Sequence, residues 1–399
     1  MHNDKEWPTL GETQCDDKME NSGTMSDDPS LHDSIADFLP EGYDGTNDGM
    51  RCPAPAVARC CCLQCPPPVA DDIHIVSGTA HLELAKDIVR LLNQQTSSRF
   101  GTKTFNLSVD GELKTFADGE ISIQINNNVR NKHVYIIQPV CPPDVNKHLM
   151  ELLLLIHTLH FSSAKSVTCV MPYYGYARQD RKTKPRTPIS ASCVAQLLES
   201  QRPCRIITID LHCGQIQGFF HHTPVDNLYA ENMMTDWIRQ QNFDMSTVCI
   251  VSPDAGGVPR ARHLSDLTNA SDIVTIIKER KVANQIVSAR LIGDVTNKIC
   301  IIVDDMIDTA GTLCAAARLL VEKGAQTVYA CATHGLFSGE AYKSIMNCDA
   351  LKGVIVTNSV PQHLEDVCAK LTVLDIAPLM AEAITRCHFG QSLSALFKL

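Results

Sequence analysis

The sequence predicts an α/β fold made of two mostly parallel sheets flanked by helices, preceded by a disordered tail. Strand-like apolar runs recur from Ile73 to near the end of the chain. Helix-like patterns lie between many of them, and this alternation is typical of parallel sheets with crossover helices. The strands are too many for one sheet to hold comfortably, so we expect two domains.

Composition and spacing predict where these domains begin and end. Residues 1–70 are rich in Asp, Ser, Gly, Pro and Thr and lack hydrophobic periodicity, so we expect a disordered acidic, Cys-rich tail. An N-terminal domain is expected over residues 71–230 and a C-terminal domain over residues 231–399. The polar stretch Thr96–Leu113 contains Gly and Ser and is predicted to be an inserted hairpin or loop.

Each predicted element is an apolar run bounded by polar or turn-forming residues. Short runs predict strands at Ile73–Ser77, Val134–Gln138, Val167–Tyr173, Ile206–Leu211, Val248–Ser252, Ile273–Ile277, Ile299–Asp304, Val328–Thr333, Val354–Thr357 and Leu371–Ile376. Longer patterns with one apolar face predict helices, including His81–Leu92, Lys147–Leu159, Ala191–Leu198, Ala310–Lys323 and Ala377–Arg386.

The net charge of −10 is unevenly distributed. Residues 1–50 carry thirteen acidic and two basic side chains, so the rest of the chain carries a net charge of about +1. A near-neutral body argues against a general nucleic-acid surface. No apolar run approaches the roughly 20 residues that a membrane span needs, and the N-terminus lacks a secretory or mitochondrial pattern. We therefore expect a cytoplasmic protein without a membrane partner.

The eighteen cysteines are most simply interpreted as reduced thiols in the cytosol. Twelve are scattered through predicted strands and helices, where buried thiols are common. The run Cys60–Cys62 with Cys65 lacks a second ligand pair at useful spacing, so a flexible tail is favoured over a metal site.

The segment from Ile301 to Thr312 is the most informative part of the chain. An apolar run ends in Asp304 and Asp305, Asp308 follows, and a small-residue turn leads into a helix-like segment. Strand, tight loop and helix start together bind phosphate through backbone N–H groups and the helix dipole. The loop has no lysine, so it is not an ATP-binding P-loop. Its carboxylates suit a sugar phosphate, through ribose hydroxyls or Mg²⁺. The alternative is a buried strand followed by an ordinary acidic turn.

Other strand-end loops carry weaker signals. The loop after Pro172 is dense in aromatic and cationic residues, including Arg178, and such residues stack on purines and bind phosphates. It could equally be a basic loop that makes surface salt bridges. Asp210 and His212 share one face at a strand end and can point at one metal or phosphate, although a lone His is usually structural.

Two further turns follow strands. Asp254 precedes two glycines in a strand-to-helix turn, where close backbone approach is allowed. Lys278 to Lys281 place three cations beside one acid in a predicted loop, which could clamp a transferring phosphoryl group. The alternative for this loop is a solvated turn.

Taken together and in order, these motifs closely resemble one family. The set comprises Phe116–Glu120, Gly175–Asp180, Asp210–His212, Gln215–Phe220, Ser252–Asp254, Lys278–Arg280 and Val303–Thr309. It resembles the ribose-phosphate pyrophosphokinases, or phosphoribosyl-pyrophosphate synthetases, of the class regulated by phosphate and ADP. The resemblance covers about residues 73 to 399 and implies two phosphoribosyltransferase-like domains.

The resemblance implies a reaction and a set of site residues. The family transfers the diphosphoryl group of ATP to the C1 hydroxyl of ribose 5-phosphate, with Mg²⁺, giving phosphoribosyl pyrophosphate and AMP for nucleotide biosynthesis. The implied ribose 5-phosphate residues are Asp304, Asp305, Asp308, Thr309, Ala310, Gly311 and Thr312. The implied ATP residues are Phe116, Asp118, Gly119, Glu120, Arg178 and Gln179. The implied metal residues are His212 and Asp254, with Asp210 and Asp226 included, and the implied catalytic pair is Lys278 and Arg280.

The resemblance also implies an assembly, a homodimer that builds a hexamer. Two alternatives from other classes remain open at this point. A non-catalytic, synthetase-associated regulatory subunit would share the fold but would be expected to lose catalytic positions. A base-transferring phosphoribosyltransferase would share only the Asp304–Thr312 motif, which leaves a whole domain without a purpose.

Overall fold

The structure is a computed structural model that describes residues 72–99, 107–282, 285–362 and 368–397. All of them belong to one unit of the chain. For residues 95–99, 278–289 and 397 the structure describes the backbone alone, except at 283 and 284, which lie in the gap. The predicted tail and its cysteine run lie outside the described residues.

Runs rich in Val and Ile form a first sheet whose strands are all parallel, as continuous apolar strands predict. The strands are β1 (Ile73–Ser77), β2 (Val109–Asp110), β5 (His133–Ile137), β6 (Ser166–Met171), β7 (Arg205–Ile209) and β8 (Val225–Leu228). Their order across the sheet is β2-β1-β5-β6-β7-β8.

Among the described residues, the α-helices that accompany this sheet are α1 (Leu82–Arg99), α2 (Val145–Phe161) and α3 (Ser190–Ser200). In α2 the residues Leu152, Leu155, Ile156 and Leu159 are fully buried. Their spacing of three and four residues places them on one helical face. Because that face packs into the same apolar cluster as Val134 and other strand residues, it holds α2 against the sheet.

A separate two-stranded hairpin pairs β3 (Glu112–Thr115) with β4 (Ile121–Gln124) in antiparallel fashion. Its five-residue tip runs from Phe116 to Glu120. The N–H of Phe116 donates to the carbonyl of Glu120 at 2.8 Å, and Gly119 has a φ of +97°. Glycine adopts this left-handed conformation without a steric penalty, so it closes the turn.

The strands of the second sheet are β9 (Val248–Ser252), β10 (Asp272–Val282), β11 (Gln285–Ile292), β12 (Ile299–Ile307), β13 (Thr327–Gly335), β14 (Gly353–Thr357) and β15 (Leu371–Leu374). Their order is β11-β10-β9-β12-β13-β14-β15, and the sheet is parallel except for the β10–β11 hairpin.

The remaining helices are α4 (Glu231–Gln240), α5 (Val258–Thr268), α6 (Gly311–Glu322), α7 (Ala341–Met346) and α8 (Ala377–His388). One buried cluster joins α8 to α1 and to the first sheet, with Met380 and Ile384 packed beside Leu84 and Ile88. Helix α8 therefore shares one apolar cluster with residues of both sheets. The boundary expected at residues 230 and 231 stays a prediction.

The α/β class and the two mostly parallel sheets are confirmed, but two predicted loops are wrong. Helix α1 continues through Thr96 to Arg99, and β2 and the start of β3 take up four of the seven residues 107–113, while residues 100–106 lie outside the described residues. The segment Lys278–Lys281 lies within β10 and pairs with β11. Both errors arose because polar and charged residues look like loops, although edge and hairpin strands often carry charge.

The carboxyl ends of both sheets face each other. His81 after β1 bonds through Nε2 to the carbonyl of Asn358 after β14 at 2.9 Å. Cys141, Tyr173, Leu336 and Val360, from loops of both halves, form one small apolar cluster. Among the described residues, no helix combines the length and the apolar character needed to cross a bilayer. Ligands bind at the carboxyl ends of strands in such sheets, so this junction is where a site is expected.

Candidate active site at the junction of the two sheets

His212 and Asp305 bring the two sheets into direct contact. His212 follows β7, Asp305 lies in β12, and Nδ1 of the former is 2.8 Å from Oδ2 of the latter. The hydrogen bond with Asp305 raises the pKa of His212. Burial raises the pKa of Asp305, but the hydrogen bond from His212 and the charge of Arg260 outweigh it, so the net direction is downward. An ionised Asp305 thus orients the ring through Nδ1 and leaves Nε2 for a ligand.

Asp304 has a different environment from its neighbour. Burial and the charge of Asp305 raise the pKa of Asp304, and Asp254 contributes in the same direction. The N–H of Asp305 donates to Asp304 Oδ1 at 2.9 Å. His212 already bonds to the carboxylate of Asp305. The carboxyl group of Asp304 is therefore better placed than that of Asp305 to accept hydrogen bonds from a ligand.

The loop between β12 and α6 has the form of a phosphate cradle. The strand ends at Ile307 and the helix begins at Gly311. No side chain caps the helix, so its first backbone N–H groups are not used in that way. Ala310 has a φ of +60°, a left-handed conformation that is costly for a residue with a Cβ. The sequence motif did not predict this conformation, because a left-handed φ is expected at glycine rather than at alanine.

Arg178 crosses from the first sheet to this loop. Its Nη1 donates to Asp308 Oδ2 at 2.6 Å. Burial raises the pKa of Asp308, but Ser338 and Arg178 outweigh it and lower the pKa overall. Gln179 stays with α3, since its carbonyl accepts from the N–H of Ala191 and its side chain accepts from Ser190. The loop after β6 is therefore anchored to the start of α3 at Gln179 and reaches the second sheet at Arg178, the residue before it.

Asp254 closes the turn between β9 and α5. Its Oδ1 accepts from the N–H groups of Gly256 and Gly257 at 2.9 and 3.1 Å. A Cβ on Gly257 would lie 2.8 Å from Ser252 Oγ, so only glycine fits there without displacement. Asp254 is exposed and influences Asp304, which places it at the same edge of the junction.

Two residues expected near a metal have other partners. Asp210 is buried, and its carboxylate accepts from Arg260, Ala230 and Thr333. Asp226 lies in β8 and pairs with Arg205 at the amino-terminal start of β7. His212 follows the opposite end of that strand, so the structure does not bring Asp226 to it. Within the described residues, no group of three or more His, Cys, Asp or Glu side chains could hold a metal ion.

The remaining expected residues lie on the two hairpins. Phe116 is 57% exposed at the tip of β3–β4, and Asp118 Oδ1 accepts from the N–H of Glu120 at 3.1 Å. Lys278 and Arg280 lie in β10, and their side chains are outside the described part of the chain. Sequence reasoning gave no role to Arg260, Thr333 or His334, which meet Asp210 at the junction. The sequence signal available for Arg260 was its place as a cation on a helix that follows the Gly256–Gly257 turn.

Comparisons with known proteins agree with this arrangement. Residues 73–201 match the N-terminal domain of ribose phosphate pyrophosphokinase, and residues 254–398 match the phosphoribosyl synthetase-associated domain. Ribose-phosphate pyrophosphokinase A of Dictyostelium discoideum is 45% identical over 331 residues, covering 82% of this chain and 99% of that protein. The ribose-phosphate pyrophosphokinase of Aquifex aeolicus is 46% identical over 325 residues, covering 82% and 99%.

A solved structure supports the same relationship. The crystal structure of phosphoribosylpyrophosphate synthetase from Mycobacterium smegmatis superposes with a TM-score of 0.72 at 38% identity, covering 79% of this chain and 99% of that one. The resemblance read from the motifs is therefore confirmed. The chain belongs to the ribose-phosphate pyrophosphokinases, a family of enzymes.

Proposed function

We propose that this chain transfers the β,γ-diphosphoryl group of ATP to the C1 hydroxyl of ribose 5-phosphate. The hydroxyl oxygen attacks the β-phosphorus, the bond from that phosphorus to the α–β bridging oxygen breaks, and the hydroxyl proton is released. The products are phosphoribosyl pyrophosphate and AMP. The observation that carries the proposal is the pair of contacts His212–Asp305 and Arg178–Asp308, because they join the loops of the first sheet to a sugar-phosphate loop on the second.

Ribose 5-phosphate is assigned to the loop after β12. The N–H groups at the start of α6 suit the 5-phosphate, since a helix N-terminus attracts anions. Asp304 accepts from the ribose hydroxyls, and Asp305 stands beside it. The proposed residues of this site are Asp304, Asp305, Asp308, Thr309, Ala310, Gly311 and Thr312.

ATP is assigned to the loops of the first sheet. The guanidinium of Arg178 pairs with Asp308 in this structure and can exchange that partner for a phosphate of ATP. A guanidinium binds a phosphate through two N–H groups. Phe116 offers an exposed aromatic face for adenine. The proposed residues of this site are Phe116, Asp118, Gly119, Glu120, Arg178 and Gln179.

Mg²⁺ fits the donor set on chemical grounds. Nε2 of His212 is left open by the bond at Nδ1, and Asp254 is exposed. Mg²⁺ keeps several waters and usually takes only one or two carboxylates plus phosphates, so Asp254 would hold it with ATP, and His212 would bind it through Nε2 in its neutral form. Bound there, the ion would neutralise charge on the phosphate oxygens. Asp210 and Asp226 are not needed, since both have protein partners.

Lys278 and Arg280 are proposed to stabilise the transition state. Negative charge spreads over the transferring phosphoryl oxygens, and preorganised cations offset it. Their location on a hairpin at the edge of the second sheet would let them close over a bound substrate. Two broader assignments accompany the reaction, a homodimer that assembles into a hexamer and a cytoplasmic location.

The proposal is tested by measuring AMP formed from ATP with and without ribose 5-phosphate. We expect AMP to appear only when the sugar is present, in equal amount to a sugar pyrophosphate seen by phosphorus NMR. ADP as the product would indicate an ordinary kinase. No reaction, together with activation of a catalytic homologue, would indicate the regulatory subunit, which the relatives named pyrophosphokinase do not favour.

A further inference from the structure

Arg260 lies buried where the two sheets meet. It stands in the first turn of α5, and its Nη1 donates to Asp210 Oδ1 at 2.8 Å. The Arg260 side chain is 16% exposed and that of Asp210 is not exposed at all. A buried charge is tolerated only when it is paired and hydrogen-bonded, so the position of each group depends on the other.

Asp210 is held at several points, and most of its contacts come from outside its own strand. Its Oδ2 accepts from the N–H of Ala230 at 2.9 Å and from Thr333 Oγ1 at 2.6 Å. The ring of His334 bonds through Nε2 to its carbonyl oxygen at 3.2 Å. The backbone of Asp210 has a φ of +43°, a conformation that an L-residue keeps only when its surroundings enforce it.

This turn sets the direction in which the chain reaches His212, two residues later. Between them, the N–H of Leu211 donates to Asn227 Oδ1 at 3.0 Å, which fixes the intervening peptide. On its other side His212 meets Asp305, and the charge of Arg260 acts on Asp305 as well. One cation from α5 therefore contacts the carboxylate of Asp210 and acts electrostatically on that of Asp305, on either side of His212.

We propose that Arg260 is a positioning residue for the diphosphoryl transfer, anchoring the turn at Asp210 and so holding His212 in place relative to Asp304 and Asp305. This inference rests on the proposed function, because it assigns His212 to the ATP site. Arg260 does not need to touch a substrate. A misplacement of about 1 Å at a reacting centre can cost about 100-fold in rate, so a buried anchor can matter as much as a contact residue.

The test compares Arg260→Met with Arg260→Lys. The methionine keeps apolar volume without charge, whereas lysine keeps a charge that can still reach Asp210. We expect Arg260→Met to lower kcat about 100-fold while the KM values for ATP and ribose 5-phosphate stay within about threefold. Arg260→Lys should recover at least about tenfold of that loss.

A gentler pair of variants covers the case in which Arg260→Met does not fold. Thr333→Val removes a single donor to Asp210 at nearly constant volume, and Thr333→Ser keeps the hydroxyl. We expect kcat to fall about tenfold in the first variant and to stay near the wild-type value in the second. Equal kcat in both variants would overturn the proposal that Asp210 is the anchor.

Hydrogen exchange separates positioning from general stability and does not need turnover. In Arg260→Met or Thr333→Val, amides of residues 210–214 should exchange faster while those of β1 and α2 do not change. A uniform increase across the first sheet would overturn the inference and leave Arg260 a purely structural residue. If the wild-type chain makes no AMP, the proposed function fails, and the exchange pattern still decides whether Arg260 holds the His212 segment.

Discussion

Asp304 and Asp305 are neighbours in sequence, yet the structure gives them different tasks. Asp305 is buried and bonded to His212, whereas Asp304 is only half-buried and has a raised pKa because of burial and the adjacent charge. Successive residues of a strand point to opposite faces, so one carboxylate serves the first sheet and the other can serve a ligand. The sequence motif alone treats the two residues as equivalent.

This difference predicts separable variants. Asp304→Asn should raise the KM for ribose 5-phosphate by roughly 10- to 100-fold and leave the KM for ATP nearly unchanged, because an oxygen that accepts from the sugar hydroxyls is replaced by an amide nitrogen that can only donate. Asp305→Asn should instead weaken ATP use as well, since His212 loses its ionised partner. Steady-state kinetics with each substrate varied in turn measure both effects. An ATP effect in Asp304→Asn without a sugar effect would mean that the two sites are reversed.

Lys278 and Arg280 give a second prediction at the level of single residues. Lys278→Ala and Arg280→Ala should each lower kcat by about 10²–10³-fold, the usual cost of losing one preorganised donor, while ATP binding measured by calorimetry stays nearly intact. Lys281→Ala, a neighbouring cation on the same strand, is the matched control and should cost far less. Near-normal turnover in both test variants would remove the catalytic assignment and favour the regulatory-subunit reading.

Among the elements, apolar strands were predictable and charged ones were not. The bounds expected for Ile73–Ser77 and Val248–Ser252 match β1 and β9, because each is a short, mostly apolar run that ends in a serine. The extension of β10 through Lys278 was missed, since its strand conformation depends on pairing with β11 rather than on local hydrophobicity. The end of α1 was missed for a similar reason, because Thr96 and the serines after it are weak helix formers.

The contacts that build the site join residues that are far apart in the sequence. His212 and Asp305 lie 93 residues apart, and Arg178 and Asp308 lie 130 apart. Local patterns identified the loops that carry them, because parallel strands bring their carboxyl ends to one edge. They could not predict which side chains meet across two sheets, nor that Asp226 would instead pair with Arg205.

The start of α6 provides a prediction for one element. Ala310→Gly should raise the free energy of unfolding by about 1 kcal/mol, because glycine adopts the left-handed φ of this position without a Cβ clash. Ala316→Gly, inside the same helix, is the control and should lower it by about 1 kcal/mol. Denaturant titration measures both. A loss of stability in Ala310→Gly equal to that of the control would contradict the left-handed conformation.

At the scale of the whole molecule, the two sheets face each other across the site, and the β3–β4 hairpin, which packs against α2, belongs to neither sheet. It pairs only with itself among the described strands, and its tip exposes Phe116. A large exposed aromatic residue at a proposed adenine site suggests that a second chain completes that site. Closed symmetric oligomers are the usual way in which such sharing occurs.

Mixing two inactive variants tests this sharing. One carries Phe116→Ala with Glu120→Ala, and the other carries Lys278→Ala with Arg280→Ala. If a hairpin serves the neighbouring chain, half of the dimers in an equal mixture are hybrids with one intact site each, so about a quarter of wild-type activity should return. No recovery after subunit exchange has been shown by mass spectrometry would mean that each chain builds its own site.

The central claim is that the junction of the two sheets transfers two phosphoryl groups together from ATP to the sugar. The most direct measurement uses ATP labelled with ³²P at the β-phosphate, incubated with the chain, Mg²⁺ and ribose 5-phosphate. The label should move to the sugar product while unlabelled AMP accumulates, because the bond between the α- and β-phosphates is the one that breaks. Label that stays in ADP, or never leaves ATP, would contradict the account.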